Sequence, residues 1–177
     1  MKKFIMLIAV LLMPFTFSYA EEVSIPAIWN KQMISAELYT TYSEDFYQYD
    51  NSRFSYHAFV PACVTSAKLP MNGDGAIFYN NEHTVIFSVS GGYNPINADT
   101  EWYYNMTVES VGPESITYSD WGNGWYAVSG VKNGKIYYIK GLVSDDRRCS
   151  FSFNFPYAEK DQYAWMVAIL EDNFYLD

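Results

Sequence analysis

The chain has 177 residues, half of them hydrophobic and 19% aromatic, with a formal net charge of −9 and only two cysteines. That length is one domain's worth of core. An acidic surface of this size repels phosphate backbones and anionic lipid headgroups, so neither a nucleic acid nor a membrane surface is an expected partner.

The first twenty residues read as a secretory signal peptide. Lys2 and Lys3 give a positive start, Phe4 to Phe17 is apolar apart from Pro14, and Ser18-Tyr19-Ala20 places small residues where a signal peptidase cuts. The apolar run is short of the ~20 residues that span a bilayer, and Glu21-Glu22 follow it directly. Cleavage after Ala20 implies a periplasmic or secreted protein with no stable membrane insertion. Loss of the two lysines takes the charge from −9 to −11.

Residues 21–46 read as an N-terminal extension. Ile25, Ile28, Trp29, Met33 and Ala36 fall near helical spacing, with Ser24 as a cap and Pro26 in the first turn, so a short helix is expected there. Tyr39 to Tyr49 reads as a polar, tyrosine-rich loop. A single domain is expected over residues 47–177. Phe54, Tyr56, Ala58 and Val60 alternate along a strand that Pro61 ends. Asn72-Gly73-Asp74-Gly75 is a turn, followed by strands at Ala76–Tyr79 and around Val85, Phe87 and Val89. Asn97 is the expected cap of a helix whose buried stripe would be Trp102, Tyr103, Met106 and Ser110, stopped by Gly112-Pro113.

Four strand-like runs come next: Ser115–Trp121, Trp125–Val131, Lys135–Val143 and Cys149–Phe155. Asn133-Gly134 between two of them is a strong hairpin signal, and the set reads as an antiparallel meander. Ala158 to Tyr175 then reads as a helix, with Tyr163, Met166 (or Val167), Leu170 and Phe174 as its apolar stripe. The expected class is α+β, a mostly antiparallel twisted sheet packed with two helices.

In an oxidising compartment Cys63 and Cys149 are expected to form one disulfide, and Cys149 shares parity with Phe151, Phe153 and Phe155. Closing so long a loop would contribute ~4–5 kcal/mol in the chain-entropy model. Asn72 and Asp74 alternate as in a weak cation-binding turn, but the closing Glu of a calcium loop is missing and a plain glycine turn is the simpler reading. His57 and His83 lack a nucleophile elbow or a zinc-binding pair, and Asn105-Met106-Thr107 is a chance match to a glycan acceptor. No catalytic motif, metal set or cofactor is called for.

Four stretches together resemble the family of small secreted bacterial domains with the PsbP-like fold. They are Tyr49 to Tyr56 ahead of Pro61, Asn72 to Phe78, Trp125 to Gly130 with Gly134 to Tyr138, and Phe155-Pro156 through Phe174. The resemblance covers about residues 47–177 and implies an α/β/α sandwich whose better-known members bind other proteins. Ser55 stands where the family has a glycine. The expected function is therefore a non-catalytic binding protein that docks on a basic protein partner, for instance an immunity-type inhibitor of a cell-wall-attacking toxin. Its candidate contacts are Tyr39, Tyr42, Tyr47, Asp145 and Asp146. The alternative is a small-ligand or glycan binder that stacks sugars on Trp121 and Trp125, and a carboxylate-based hydrolase is the third reading.

Overall fold

The computed structural model describes residues 20–177, so the expected signal peptide lies outside the described residues except for Ala20. The chain forms β1 (Glu22–Trp29), β2 (Gln32–Thr40), β3 (Phe46–Asn51), β4 (Tyr56–Pro61), β5 (Ser66–Leu69), β6 (Gly75–Tyr79) and β7 (Ile86–Tyr93). Helix α1 (Thr100–Val111) follows, then β8 (Ile116–Gly122), β9 (Trp125–Lys132), β10 (Lys135–Val143) and β11 (Arg147–Pro156). The chain closes with α2 (Lys160–Tyr163), α3 (Met166–Asp172) and β12 (Phe174–Leu176). All strands join one sheet in the order β12-β4-β3-β2-β1-β5-β6-β7-β11-β10-β9-β8, antiparallel except for β1 against β5. The class is α+β, as the sequence implies.

Residues 21–46 correct the reading of a helical extension. They form the hairpin β1–β2, paired in register from Glu22↔Tyr39 to Trp29↔Gln32 and turned by Asn30 and Lys31, both at positive φ. Val23, Ile25, Ala27 and Trp29 share the side that meets the core, so the operative period is two rather than 3.6. The hairpin belongs to the sheet, because β2 also pairs with β3 and β1 with β5.

The sheet coils on itself, and the two halves meet through aromatic pairs. Tyr49 on β3 stands edge-on to Phe78 on β6 at 5.7 Å, and Phe151 on β11 meets Phe174 on β12 at 5.0 Å. Between them lies the main core, in which Phe78, Phe87, Phe151, Phe153 and Phe155 are fully buried. A second, smaller cluster forms where α1 lies over β8 to β10, with Tyr126, Val128 and Tyr137 at its centre.

Two helix expectations shift. The cap of α1 is Asp99, whose carboxylate accepts the Trp102 N–H at 2.8 Å, while Asn97 adopts a positive φ in the turn before it. The helix face turned to the sheet carries Tyr103, Tyr104, Val108 and Val111, and Trp102 and Met106 are exposed. The expected closing helix breaks into α2, α3 and β12, yet its stripe is right: Tyr163, Met166, Leu170 and Phe174 are all buried.

The disulfide expectation is also corrected, for both cysteines are free thiols. Cys149 sits on β11 opposite Gly91, at the Tyr56 end of the core. Cys63 follows β4 near Tyr163, which packs on Phe153 and Phe155 at the far end of β11. The six steps along β11 from Cys149 to Phe155 span about 20 Å, whereas a disulfide needs Cα atoms within about 7 Å. Burial raises the pKa of both thiols, so neither is an activated nucleophile.

Candidate functional site

Strands β1 to β4 contain no lysine or arginine, and their acids fall on one side. The register places Glu22 beside Tyr39, Tyr39 beside Gln48, and Asp50 beside His57, with Tyr175 of β12 as the next neighbour. Opposite partners in an antiparallel ladder share a face, and Glu37 joins it two residues before Tyr39. The C-terminal Asp177 closes this face. Glu37, Tyr39, Asp50, His57 and Asp177 line an open concavity of about 520 Å³.

His57 ties the concavity together. Its Nδ1 lies 2.6 Å from the Asp50 carboxylate and its Nε2 lies 2.8 Å from the Asp177 carboxylate. The imidazole stacks on Tyr175 with centroids 4.7 Å apart. Partial burial alone would lower the His57 pKa, but the hydrogen bonds and charges of Asp177 and Asp50 outweigh it and raise it. Both ring nitrogens are engaged, so His57 has no free nitrogen with which to take a proton from a substrate. Instead it fastens β12 and the C-terminus to β4.

A raised folded-state pKa has a definite consequence for stability. The His57 ion pairs contribute fully below the ordinary value of 6.5, and that contribution is lost as pH rises through the higher folded value. The cost of His57→Gln, measured by urea unfolding, is therefore expected to be larger at about pH 6 than at about pH 8.5. Equal costs at the two values would contradict the assignment.

The structure gathers some of the candidate residues and disperses others. Tyr39 lies on β2 within the acidic face, not in a loop. Tyr42 is 80% exposed and stacks at a tilt on Phe59, which is on the same side of β4 as His57. Tyr47 points the other way, because it neighbours Gln48 on β3, and it packs against the main core. Asp145 and Asp146 are exposed in the turn between β10 and β11. The Ser144 hydroxyl and the Arg147 guanidinium hold the Asp146 carboxyl below its ordinary pKa. Arg147 also donates to the Asp177 backbone carbonyl at 2.8 Å, which brings this turn beside the acidic face. Sequence reasoning gave Glu22, Glu37, Asp50 and Asp177 no place in a site, and it weighed His57 only as a catalytic or zinc-binding residue.

Trp121 and Trp125 do not form a stacking pair. The ladder pairs Trp121 with Tyr126 and Gly122 with Trp125, so the two indoles lie on opposite faces. Trp121 tilts against Tyr104 of α1, and Trp125 lies under the Lys140 ammonium at 4.3 Å. The Asn72–Asp74 turn satisfies itself: Asn72 donates to the Asp74 carboxylate at 2.8 Å, Arg53 donates to the Asn72 carbonyl, and Asp74 O accepts from Tyr56 Oη at 2.9 Å. Among the described residues no group of three or more His, Cys, Asp or Glu stands close enough to hold a metal ion. Nor is any described helix long and apolar enough to cross a membrane.

No protein-family model matches the chain, and no curated protein sequence is significantly similar to it. Solved structures do resemble it. The solution structure of cyanobacterial PsbP (CyanoP) from Synechocystis superposes with a TM-score of 0.50 at 10% identity, over 76% of this chain and 94% of that one. The chain has a PsbP-like fold.

Proposed function

We propose that this chain is an exported, non-catalytic binding protein that docks on a basic protein partner through the acidic face of β1 to β4 and β12. The observation that carries the reading is the gathering of Glu22, Glu37, Asp50 and Asp177 on one side, in strands free of lysine and arginine. Tyr39, Tyr42 and Tyr175 supply the aromatic contact area that protein interfaces favour. Export rests on the signal-peptide pattern of residues 1–20. Absence of catalysis rests on His57, the one histidine of the concavity, having both nitrogens engaged. An immunity-type inhibitor of a cell-wall-attacking toxin fits this combination, because such toxins act where exported proteins reside and a basic one would be steered to this face.

Glu22 and Glu37 make no side-chain hydrogen bond or ion pair with a described residue, so their charges can be removed without disturbing the fold. The double variant Glu22→Gln/Glu37→Gln is expected to slow association with a basic cell-wall hydrolase such as lysozyme by roughly 3–10-fold at low ionic strength. Dissociation should change little, and the difference should vanish at high salt. An association rate equal to that of the wild type at low salt would refute the electrostatic part of the proposal.

A further inference from the structure

The outward side of β7 and β11 is unusual for a surface that lies beside a helix. Its cross-strand pairs are Ser88↔Ser152 and Ser90↔Ser150, followed by Gly92↔Arg148. The next strand sets Ile139 beside Ser152, and Gly141 beside Ser150 is covered by the Tyr126 ring. The four serines and Gly92 have little bulk, so α1 and the sheet leave an open groove of about 680 Å³ between them, lined also by Ile139 and Tyr126. That lies within the roughly 300–1,000 Å³ of ordinary ligand sites. Trp102 and Met106, four residues apart on α1, overhang it and are 43% and 51% exposed.

Arg148 closes one end of this groove. Its guanidinium lies 5.4 Å from the Tyr103 ring centroid and runs along Gly92, where a Cβ would stand 3.6 Å from its Nη2. The ion pairs among the described residues belong to His57, Lys140 and Arg147, and Arg148 has no carboxylate partner. A half-buried guanidinium left unpaired in so acidic a chain presents its donors to whatever enters the groove.

We propose that this groove binds an acidic sugar, a short saccharide carrying a carboxylate of the uronic-acid type. Arg148 takes the carboxylate. The hydroxyls of Ser88, Ser90, Ser150 and Ser152 exchange hydrogen bonds with ring hydroxyls, while Ile96, Val111 and Ile139 beside them pack on the apolar faces of a sugar. The exposed Trp102 ring offers the apolar face of a sugar a flat surface. None of these residues belongs to the acidic face, so the two sites stand or fall separately.

The test titrates the full exported chain with a trimer of galacturonic acid and, in parallel, with the neutral galactose trimer of the same linkage. Calorimetry should show saturable one-site binding of the acidic trimer, about tenfold or more tighter than the neutral one. In the wild-type chain the acidic trimer should shift the Trp102 indole resonance and leave that of Trp165 in place. Arg148→Gln should weaken the acidic trimer about tenfold or more while the thermal midpoint is kept. If that variant fails to fold, the Trp102 shift in the wild type decides alone. No saturable binding, equal affinity for both trimers, or an unmoved Trp102 resonance would overturn the proposal.

Discussion

Phe87→Ala is expected to destabilise the fold by about 3–5 kcal/mol, the range for removing a fully buried aromatic ring. Phe87 lies on the inner side of β7 at the centre of the main core. Its ring is 5.5 Å from Phe151 and 6.4 Å from both Phe153 and Phe78. Those neighbours sit on β6 and β11, the two strands that flank β7, whose backbones are fixed by ladders on both sides, so they cannot close over the space the ring leaves. Against a total stability of about 5–15 kcal/mol for a domain, the loss takes a large share. The thermal midpoint should fall by roughly 6–20 °C for a chain of this length. Urea unfolding measures the change directly, and a cost below about 1 kcal/mol would mean that the Phe87 ring is not held in a close-packed interior.

Gly75→Ala is expected to cost about 1–3 kcal/mol or more, from overpacking against a part of the molecule that cannot yield. A Cβ at Gly75 would lie 1.9 Å from the Val89 carbonyl oxygen and 2.8 Å from the Ser90 Cα, both backbone atoms of the neighbouring strand. The glycine is needed for space. The turn just before it is pinned from two directions, because the Asp74 carbonyl accepts from the Gly91 N–H at 2.7 Å and from the Tyr56 hydroxyl at 2.9 Å. An added methyl must therefore push β6 away from β7. Hydrogen exchange should quicken first at the amides of Gly75–Tyr79 and Ile86–Tyr93. A neutral substitution would show that the close approach is not maintained in solution. The Asn72–Gly75 motif thus has a packing reason that owes nothing to cation binding.

The meander of β8 to β11 was legible because local chemistry specifies it. Asn133 and Gly134 both take positive φ in the two-residue turn, and β11 alternates buried and half-buried residues along its length. The hairpin β1–β2 was not legible for an equally local reason. Ile25, Ile28, Trp29, Met33 and Ala36 mimic helical spacing, the small Ala27 hides the alternation, and the turn uses Asn30-Lys31 with no glycine. The closing stripe of Tyr163, Met166, Leu170 and Phe174 could be read because spacing fixes burial even where the helix breaks. The disulfide could not be judged, since the separation of Cys63 and Cys149 is set by long-range strand order.

The site divides in the same way. The sequence reading ends one strand at Trp121 and starts the next at Trp125, but Gly122 belongs to β8, so the two-residue turn Asn123-Gly124 pairs Gly122 with Trp125 and sends the indoles to opposite faces, which only the register shows. Tyr47 could have been separated from Tyr39 only with the β2–β3 register in hand. Asp177 was invisible, because its meeting with His57 depends on β12 returning to β4 across most of the chain. The outward serines of β7 and β11 were visible as alternation, but the groove they line depends on where α1 lies.

The central claim is that the acidic face binds a basic protein. The most direct test measures association of the wild-type chain from residue 21 onward with a panel of basic cell-wall hydrolases, a lysozyme, an amidase and an endopeptidase. Surface plasmon resonance would follow it from about 10 to about 500 mM salt, over which screening shortens from roughly 30 Å to a few ångströms. The account predicts saturable binding to at least one member, with an association rate that falls steeply as salt rises. No binding to any member at the lowest salt, or an association rate indifferent to salt, would contradict it.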